Sequence, residues 1–435
     1  MGKIKVMSNK SISVIIAGGG LGGLAAALRL NRIGVDVTVF EAVPEIRELG
    51  VGINIQPNGV KELSALGLAT DCANIAAPIE TLSYYNKLGQ FVMSEPRGIA
   101  AGYHWNQYAF HRGRLQGALY RAVVAELGED HVVTNHQLVG FKQSESGVTA
   151  HFSEHGGGEA TFDCTADILI GADGIHSAVR QQLYPNQGSP VFAGQTMWRG
   201  VTNVPSFLDG KTMIMAGHKT MKVVAYPLNP EASNGRGVEL NWVAEDTFFD
   251  EVPPPETWNS LADATEVAER FTNWHFPWLN VSEIIKNSSE IFAFPKVDRD
   301  PIPQWTFGRV TLLGDAAHPM HPAGSNAGTQ AICDGRALAA AFMKNVSPVD
   351  ALKTYEAERQ PQMSDLVNTI RQDMGPETML VLAEERAPDG FDKVEDVMSD
   401  EEIQSFGTSF RKLAGFDPET VNAVTAGLDV PPENG

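Results

Sequence analysis

Cysteine is scarce in this chain. Its 435 residues include three, Cys72, Cys164 and Cys333, with no CxxC pair and no metal-ligand spacing. That excludes a disulfide framework or a thiolate metal centre and fits reduced thiols in a cytoplasmic protein. Positive charge is short as well, with 33 Lys plus Arg against 53 Asp plus Glu and a formal charge of -20. Such a surface repels a phosphate backbone at long range, which excludes nucleic acid as a partner, though not a small molecule in a local basic pocket. Long apolar runs are missing. The longest are strand-sized, so no stable membrane insertion is expected. Residues 1–10 carry lysines without the apolar core of a signal peptide and read as a loose leader. There are no internal repeats.

What is present is an ordinary globular composition, 43 % apolar and 20 % charged, at a length that can build two domains. Ser11 to Ala17 is a continuous apolar run of strand length. Five glycines in the next six residues lead into a helical stretch, Leu24 to Leu30, which Gly34 breaks. Val35 to Phe40 is then a second apolar strand ending on Glu41. Strand, helix, strand within about 30 residues is one right-handed crossover of a parallel sheet. Arg114 to Leu127 predicts a helix. Val132 to Thr134, Val148 to Phe152 and Ala160 to Asp163 predict strands, and Ile168 to Ile170 a short buried one feeding Gly171-Ala172-Asp173-Gly174. From about 186 to 290 short strands alternate with turn-rich loops, one holding Pro253-Pro254-Pro255, and five of the seven tryptophans fall there. This segment reads as an antiparallel second domain. Arg309 to Leu313 returns to the buried-strand pattern, followed by Gly314-Asp315 and a helix over about 328–343.

The expected fold is therefore α/β, with a Rossmann-like first domain built from 11–185 and 291–375. The β-rich second domain spans 186–290 and is joined by an insertion near 76–106. A helical or mobile tail covers 376–435.

Gly18, Gly20 and Gly23 fill the three places of G-x-G-x-x-G. The first makes the tight turn, the second lets the backbone approach a pyrophosphate, and the third lets the helix pack on the sheet. The N–H groups of Leu21 and Gly22 open the helix and face the phosphates. Glu41 stands 23 residues after Gly18, at the end of the second strand, where a carboxylate can accept both ribose hydroxyls. It favours a ribose without a 2'-phosphate, as in FAD or NAD. Only one such turn occurs, so a second, separate nucleotide module is not expected.

These glycines, together with Gly171-Ala172-Asp173-Gly174-Ile175-His176-Ser177-Ala178-Val179-Arg180 and Gly314-Asp315-Ala316-Ala317-His318-Pro319, resemble the single-component (group A) flavoprotein aromatic hydroxylases. These are the salicylate- and para-hydroxybenzoate-hydroxylase-like enzymes. Glu48 to Pro57, His111-Arg112-Gly113, Met197 to Val201 and Val297 to Asp300 look closest to the family's phenazine-hydroxylating branch. The likeness runs over roughly residues 11 to 370. It implies tightly held FAD, NADH or NADPH as transient co-substrate, O2, and a small aromatic substrate. It also implies hydroxylation of an electron-rich aromatic or heteroaromatic ring through a flavin C4a-hydroperoxide, with decarboxylation where the attacked carbon bears a carboxylate. Arg112 resembles the arginine that contacts the FAD phosphates. Asp173 resembles the aspartate serving FAD and the nicotinamide, and Asp315 the one serving the ribityl or ribose hydroxyls. Pro319, Gly324, Ala327 and Gly328 belong to the segment that surrounds the isoalloxazine. Relatives tend to read G-x-N-G-A-[ST]-Q there, whereas this chain reads Gly324-Ser325-Asn326-Ala327-Gly328-Thr329-Gln330, with Gly and Ala exchanged.

No side chain has to act as nucleophile in such chemistry. Arg199, in an apolar strand, either pairs with a substrate carboxylate or makes a structural salt bridge between domains. Trp198, His218 and Tyr226 are pocket-wall candidates. His318 and His321 lack a third ligand nearby, and no metal is expected. A monomer or a homodimer would both serve. Epoxidation on the same scaffold stays open, as does a non-catalytic redox sensor. The Trp-x-Trp-x-Ile-Pro signature of the halogenases is absent.

Overall fold

The computed structural model describes residues 11–48, 50–154, 159–229, 237–247, 260–372, 378–399, 401–403 and 417–423. The expected leader, the Pro253–Pro255 loop with Trp258, and most of the chain beyond 403 lie outside the described residues. Five parallel strands form the first sheet, in the order Val310–Leu312, Ile168–Gly171, Ser13–Ala17, Asp36–Phe40, Val132–Val133. The central ones are buried on both faces, which is why they read as unbroken apolar runs. Helix Leu21–Arg32 packs on this sheet and against helix Ala327–Lys344 with Leu21 to Leu30 entirely buried.

The second sheet has eight strands. Its order is Ser260–Leu261, Ile291–Asp298, Val191–Val204, Val238–Thr247, Met221–Asn229, Thr212–Gly217, Thr81–Tyr85, Phe91–Pro96, and its one parallel pairing joins Thr212–Gly217 to Thr81–Tyr85. Strand Ile291–Asp298 pairs with Val191–Val204, Phe294 opposite Met197, so the second domain extends to about residue 298 and not to 290. The long helix after the Gln107–His111 strand begins at Arg112, two residues earlier than the apolar pattern alone suggested. The strand expected over 160–163 lies at Phe162–Ala166.

Alternation gives the eight-stranded sheet two different faces. Trp198, Trp242, Leu240, Val223 and Ile214 point to one, under helices Ala264–Arg270 and Val281–Lys286. Tyr84, Met213, Met215, Val224 and Tyr226 point to the other. Helix Thr378–Arg386 covers part of that second face with Met379, Leu380 and Ala383, all buried. Helix Pro418–Asn422 docks by burying Val421, and Lys61 Nζ donates to the Val421 and Ala423 carbonyls at 3.0 and 2.9 Å. These parts of the tail are packed structure, not a surface appendage. None of the described helices is long and apolar enough to cross a membrane.

The two sheets meet along the short strand Gly52–Ile55. The Gly52 N–H donates to Asn241 Oδ1 at 2.6 Å, and its carbonyl accepts from Arg199 Nη2 at 2.7 Å. A Cβ on residue 52 would lie 2.6 Å from the Asn241 side chain, so only glycine fits this seam. A bidentate pair, Arg114 to Glu239 at 2.6 and 2.9 Å, closes its edge.

The tail docking has a simple test. Met379→Ala should cost about 2–5 kcal/mol of stability, the range for truncating a buried methionine. An unchanged thermal midpoint would contradict the docking.

Candidate active site

The glycine turn is tight where it meets protein and open at Gly20. Gly18 holds φ +111°, and a Cβ there would sit 2.2 Å from the Ala172 carbonyl oxygen. One on Gly23 would sit 2.0 Å from the Gly18 oxygen. A Cβ on Gly22 would press on Leu313 and Ala331, so this glycine lets the helix approach the end of strand Val310–Leu312 and helix Ala327–Lys344. Gly20 differs from all of these, because a Cβ there would meet nothing within 4 Å. The helix it opens has no capping side chain and no acid in its first turn. Its N–H groups, with buried Leu21 among them, therefore remain available to an anion. Glu41 Oε2 accepts the Gly19 N–H at 2.7 Å, and Oε1 the Val43 N–H at 3.0 Å, which fixes the carboxylate beside the turn.

Asp173 has a more structural place than the motif suggested. Its oxygens accept the Ser177 hydroxyl at 2.5 Å and the Ala178 N–H at 2.7 Å, starting helix Ala178–Leu183. Burial pushes its carboxyl up against these hydrogen bonds. The next helix residues carry Arg180, 2 % exposed. Its guanidinium donates to the carbonyls of Ala316, Ala317 and Asp300 at 3.0, 2.9 and 2.9 Å and to Gln187 Oε1 at 2.7 Å. Burial, with Arg299 nearby, brings it down to about 10. Arg180 thus ties the Asp173 turn to the Asp315 turn through backbone carbonyls.

Asp315 follows the Val310–Leu312 strand. Its side chain is accessible to solvent yet surrounded by protein, the situation of a group on the floor of a cleft. Burial raises its carboxyl, while His318 and Arg112 oppose the rise. Arg112 is exposed at the start of helix Arg112–Leu127, with its N–H on the Val51 carbonyl at 3.0 Å. Its charge is felt by both Asp315 and Arg199.

Beyond Asp315 the chain runs through buried Pro319 into a loop with left-handed residues, Gly324 at φ +63° and Ser325 at φ +57°. Gln56 clamps this loop, its Nε2 donating to the Gly324 carbonyl at 3.0 Å and its N–H to Thr329 Oγ1 at 3.1 Å. Helix Ala327–Lys344 then begins with no side-chain cap and no acid in its first turn, a second open N-terminus. The Ala327–Gly328 exchange has a packing reason. A Cβ on residue 328 would lie 2.7 Å from Ile53 Cδ1 and 3.6 Å from Leu21 Cδ1. Gly328 is therefore a contact glycine, and the unusual backbone lies upstream at 324–325.

Below this loop sits a charge cluster that no motif announced. Asp334, fully buried, accepts the Gly314 N–H at 3.0 Å and His318 Nε2 at 2.7 Å on one oxygen, and Arg359 Nε at 2.7 Å on the other. His321 faces a different carboxylate, Asp298 at 3.5 Å, which is itself doubly held by Arg371. The two histidines thus serve separate ion clusters.

Of the pocket candidates, Arg199 and Tyr226 come together. The Tyr226 hydroxyl lies among Arg199, Asn54 and Asn241. Burial lowers Arg199, while Tyr226 beside it works the other way. Its guanidinium lies 5.8 Å from the Phe294 ring centroid. Among the described residues Arg199 pairs with no carboxylate. Its link between domains is a hydrogen bond to a carbonyl, and the expected structural salt bridge is not formed. Trp198 is corrected: consecutive strand residues face opposite ways, and it lies in the core on the far face, with Arg270 above its ring at 5.4 Å. His218 is corrected too. It turns the hairpin after Thr212–Gly217, accepting from Thr220 and lying 6.3 Å from Trp274.

A family model described as an FAD binding domain matches residues 11–369. The phenazine 1,6-dicarboxylic acid hydroxylase PhzS of Lysobacter antibioticus is 41% identical over 362 residues, covering 82% of this chain and 89% of the relative. The aurachin C monooxygenase/isomerase of Stigmatella aurantiaca is 34% identical over 360 residues, with 82% and 87% covered. Among solved structures, HpxO of Klebsiella pneumoniae, complexed with FAD and uric acid, superposes with a TM-score of 0.70 at 22% identity over 94% of this chain and 96% of that one. At that identity the likeness shows the fold.

Two variants separate the glycine roles. Gly20→Val should fold with near-normal stability yet purify without yellow flavin. Gly23→Ala should lose stability as well, since its Cβ meets backbone. Stoichiometric flavin in purified Gly20→Val would contradict the site. A third test concerns Asp334. Burial alone would raise its carboxyl, but His318, Arg359 and the Gly314 N–H hold it below the ordinary range. Its stabilisation is therefore full above the unfolded value, about pH 4, and is lost as pH falls through the lower folded value. Asp334→Asn, leaving Arg359 buried without its partner, should cost about 3–5 kcal/mol at pH 7 and flatten the acid limb of the stability curve. Parallel acid limbs for variant and parent would contradict this.

Proposed function

We propose that this chain, which belongs to the FAD binding domain family and is an FAD-dependent monooxygenase of aromatic substrates, hydroxylates a carboxylate-bearing aromatic or heteroaromatic ring at the expense of NAD(P)H and O2. The residues fit the cofactor. The open side of Gly20, the uncapped helix that it starts, and Glu41 suit the dinucleotide end. Asp315, Arg112 and the Pro319–Gly328 loop suit the flavin end. Bound there, FAD supplies the relay of two electrons from nicotinamide to oxygen and the activation of that oxygen. Overall, a ring C–H, O2, NAD(P)H and a proton give a ring C–OH, water and NAD(P)+. Where the attacked carbon carries a carboxyl group, CO2 leaves in place of the proton.

Arg199 carries the substrate assignment. It is a guanidinium on the inward face of the second domain, one bond from the seam strand, with Tyr226 beside it and no carboxylate of its own. A planar anion suits it, because the rigid fork can bind both oxygens. Tyr226 and the seam residues Asn54 and Asn241 hold its position. The eight-stranded sheet behind them keeps water off the reacting ring.

A panel of hydroxy- and amino-aryl carboxylates, with and without fused rings, tests this. NADH and NADPH consumption should rise with a matching ring, and product mass should increase by one oxygen, with evolved CO2 marking decarboxylation. Arg199→Met should raise KM for the carboxylate substrate at least about tenfold. Nicotinamide oxidation that ends wholly in hydrogen peroxide with every ring would overturn the proposal.

A further inference from the structure

Helix Pro57–Ala65 joins the far end of the chain to the Pro319–Gly328 loop. At nine residues it is too short to hold its place by its own hydrogen bonds, so what packs on it sets its position. Its first turn faces the loop. Gln56, at its start, bonds to the Gly324 carbonyl and to Thr329 Oγ1. A Cβ on Gly59 would lie 2.7 Å from Ile55 Cγ2 and 3.1 Å from Thr329 Cγ2, so this turn meets the start of helix Ala327–Lys344 directly. The next turn is tied on two sides. Glu62 accepts from Arg29 Nη2 at 2.5 Å and lies 3.4 Å from Arg336 Nε, which joins it to the two central helices. Lys61, its neighbour, serves the tail.

The tail contact has a defined register. Asp417 Oδ1 accepts the Thr420 N–H at 3.0 Å and Pro418 opens the helix, which steadies a turn of only five residues. Val421 is buried in the core of the first domain. Lys61 Nζ, which holds the Val421 and Ala423 carbonyls, lies 5.3 Å from the Trp105 ring centroid. Asn422 reads the neighbouring backbone with both ends of its amide. Its Oδ1 accepts the His104 N–H at 2.9 Å, and its Nδ2 donates to the Gly102 carbonyl at 2.8 Å. Two carbonyls, one amide and one apolar side chain thus fix this segment on the flank of helix Pro57–Ala65.

We propose that Asp417–Ala423 is a strap for the cofactor: through Lys61 and helix Pro57–Ala65 it keeps Gln56 on Gly324 and Thr329, and so keeps the loop in the shape that holds FAD. The strap rests on the placing of FAD against that loop proposed above. The loop needs such support, because its left-handed residues, Gly324 and Ser325, interrupt any regular backbone pairing. Lys61 and Gln56 are positioning residues, one gripping the strap and the other the loop. Loss of the tail then loosens the flavin from a protein that is otherwise folded.

FAD retention in full-length variants tests the strap, with FAD-loaded protein diluted and released flavin followed by its fluorescence. Val421→Asp puts a charge where the tail docks, and it should raise the FAD dissociation constant at least about tenfold. Asn422→Ala is the milder second variant, with the same sign, should the charge at 421 prevent folding. Met379→Ala loosens a different part of the tail, so it should lower the thermal midpoint yet leave FAD affinity within about twofold. Hydrogen exchange in the FAD-free protein should quicken at Gln56 and over 324–330 in Val421→Asp, and not in Met379→Ala. Because the strap acts through Gln56, Gln56→Ala should weaken FAD as well, and adding Val421→Asp should weaken it by less than about a further twofold. A lower thermal midpoint in Val421→Asp with wild-type FAD affinity and exchange, or losses that multiply in the double variant, would overturn the strap. Wild-type FAD affinity in both Val421→Asp and Gln56→Ala, with faster exchange over 324–330, would instead sink the placing of FAD and leave the hold of the tail on the loop standing.

Discussion

A carboxylate with no access to water organises this molecule. Asp334 sits on the Ala327–Lys344 helix at 0 % exposure, and a bare charge there would be prohibitive. It is tolerated because three groups converge on it: the Gly314 N–H and the His318 ring from one turn, and the Arg359 guanidinium. The consequence is positional. The turn that carries Asp315 and the entry to the Pro319–Gly328 loop cannot move without uncovering the charge. Arg180 grips the same turn from the opposite side, through the Ala316 and Ala317 carbonyls. Between them, two buried ionic groups hold a segment whose own backbone, with positive φ at Gly314, Gly324 and Ser325, has little regular structure to rely on.

That rigidity makes sense of what is left open. Two helices, Leu21–Arg32 and Ala327–Lys344, start without a capping side chain or a first-turn acid, and they pack against each other. Other helices carry caps, as Ser177, Asp263, Asn280 and Ser347 show, although Pro57–Ala65 and Arg112–Leu127 also start without one. Uncapped starts at these two central helices favour negative charge, which suits the proposed placing of a diphosphate at one and a reduced flavin at the other. The second domain reaches this centre through one short strand, Gly52–Ile55. One side of it meets Asn241 and Arg199, and the other meets Gly328 through Ile53 and Ile55. The proposed cofactor and substrate faces are thus a single strand apart.

Much of the cofactor half was legible in the sequence because its signals are local. Gly18, Gly20 and Gly23 lie within six residues, and Glu41 closes the next strand. The substrate half was legible only in part. Naming both Trp198 and Arg199 as candidates for one pocket ignored the rule that adjacent strand residues diverge, although the alternation was there to be read. Arg180 and Arg359 act on residues 136 and 25 positions away in the chain, and no local pattern encodes such partners. The docking of Met379 on the second sheet is hidden for the same reason. The Gly328 exchange carries no reason in the sequence, and only the contact with Ile53 shows it to be a matter of space.

The central claim is that one site joins flavin, oxygen and an anionic ring. Single-turnover reaction of the reduced, FAD-loaded protein with 18O2 in the presence of an aryl carboxylate substrate tests it most directly. One labelled oxygen atom in the hydroxylated product, with the second recovered in water, is the predicted result. Label found only in hydrogen peroxide, or an unlabelled hydroxyl group on the product, would contradict it.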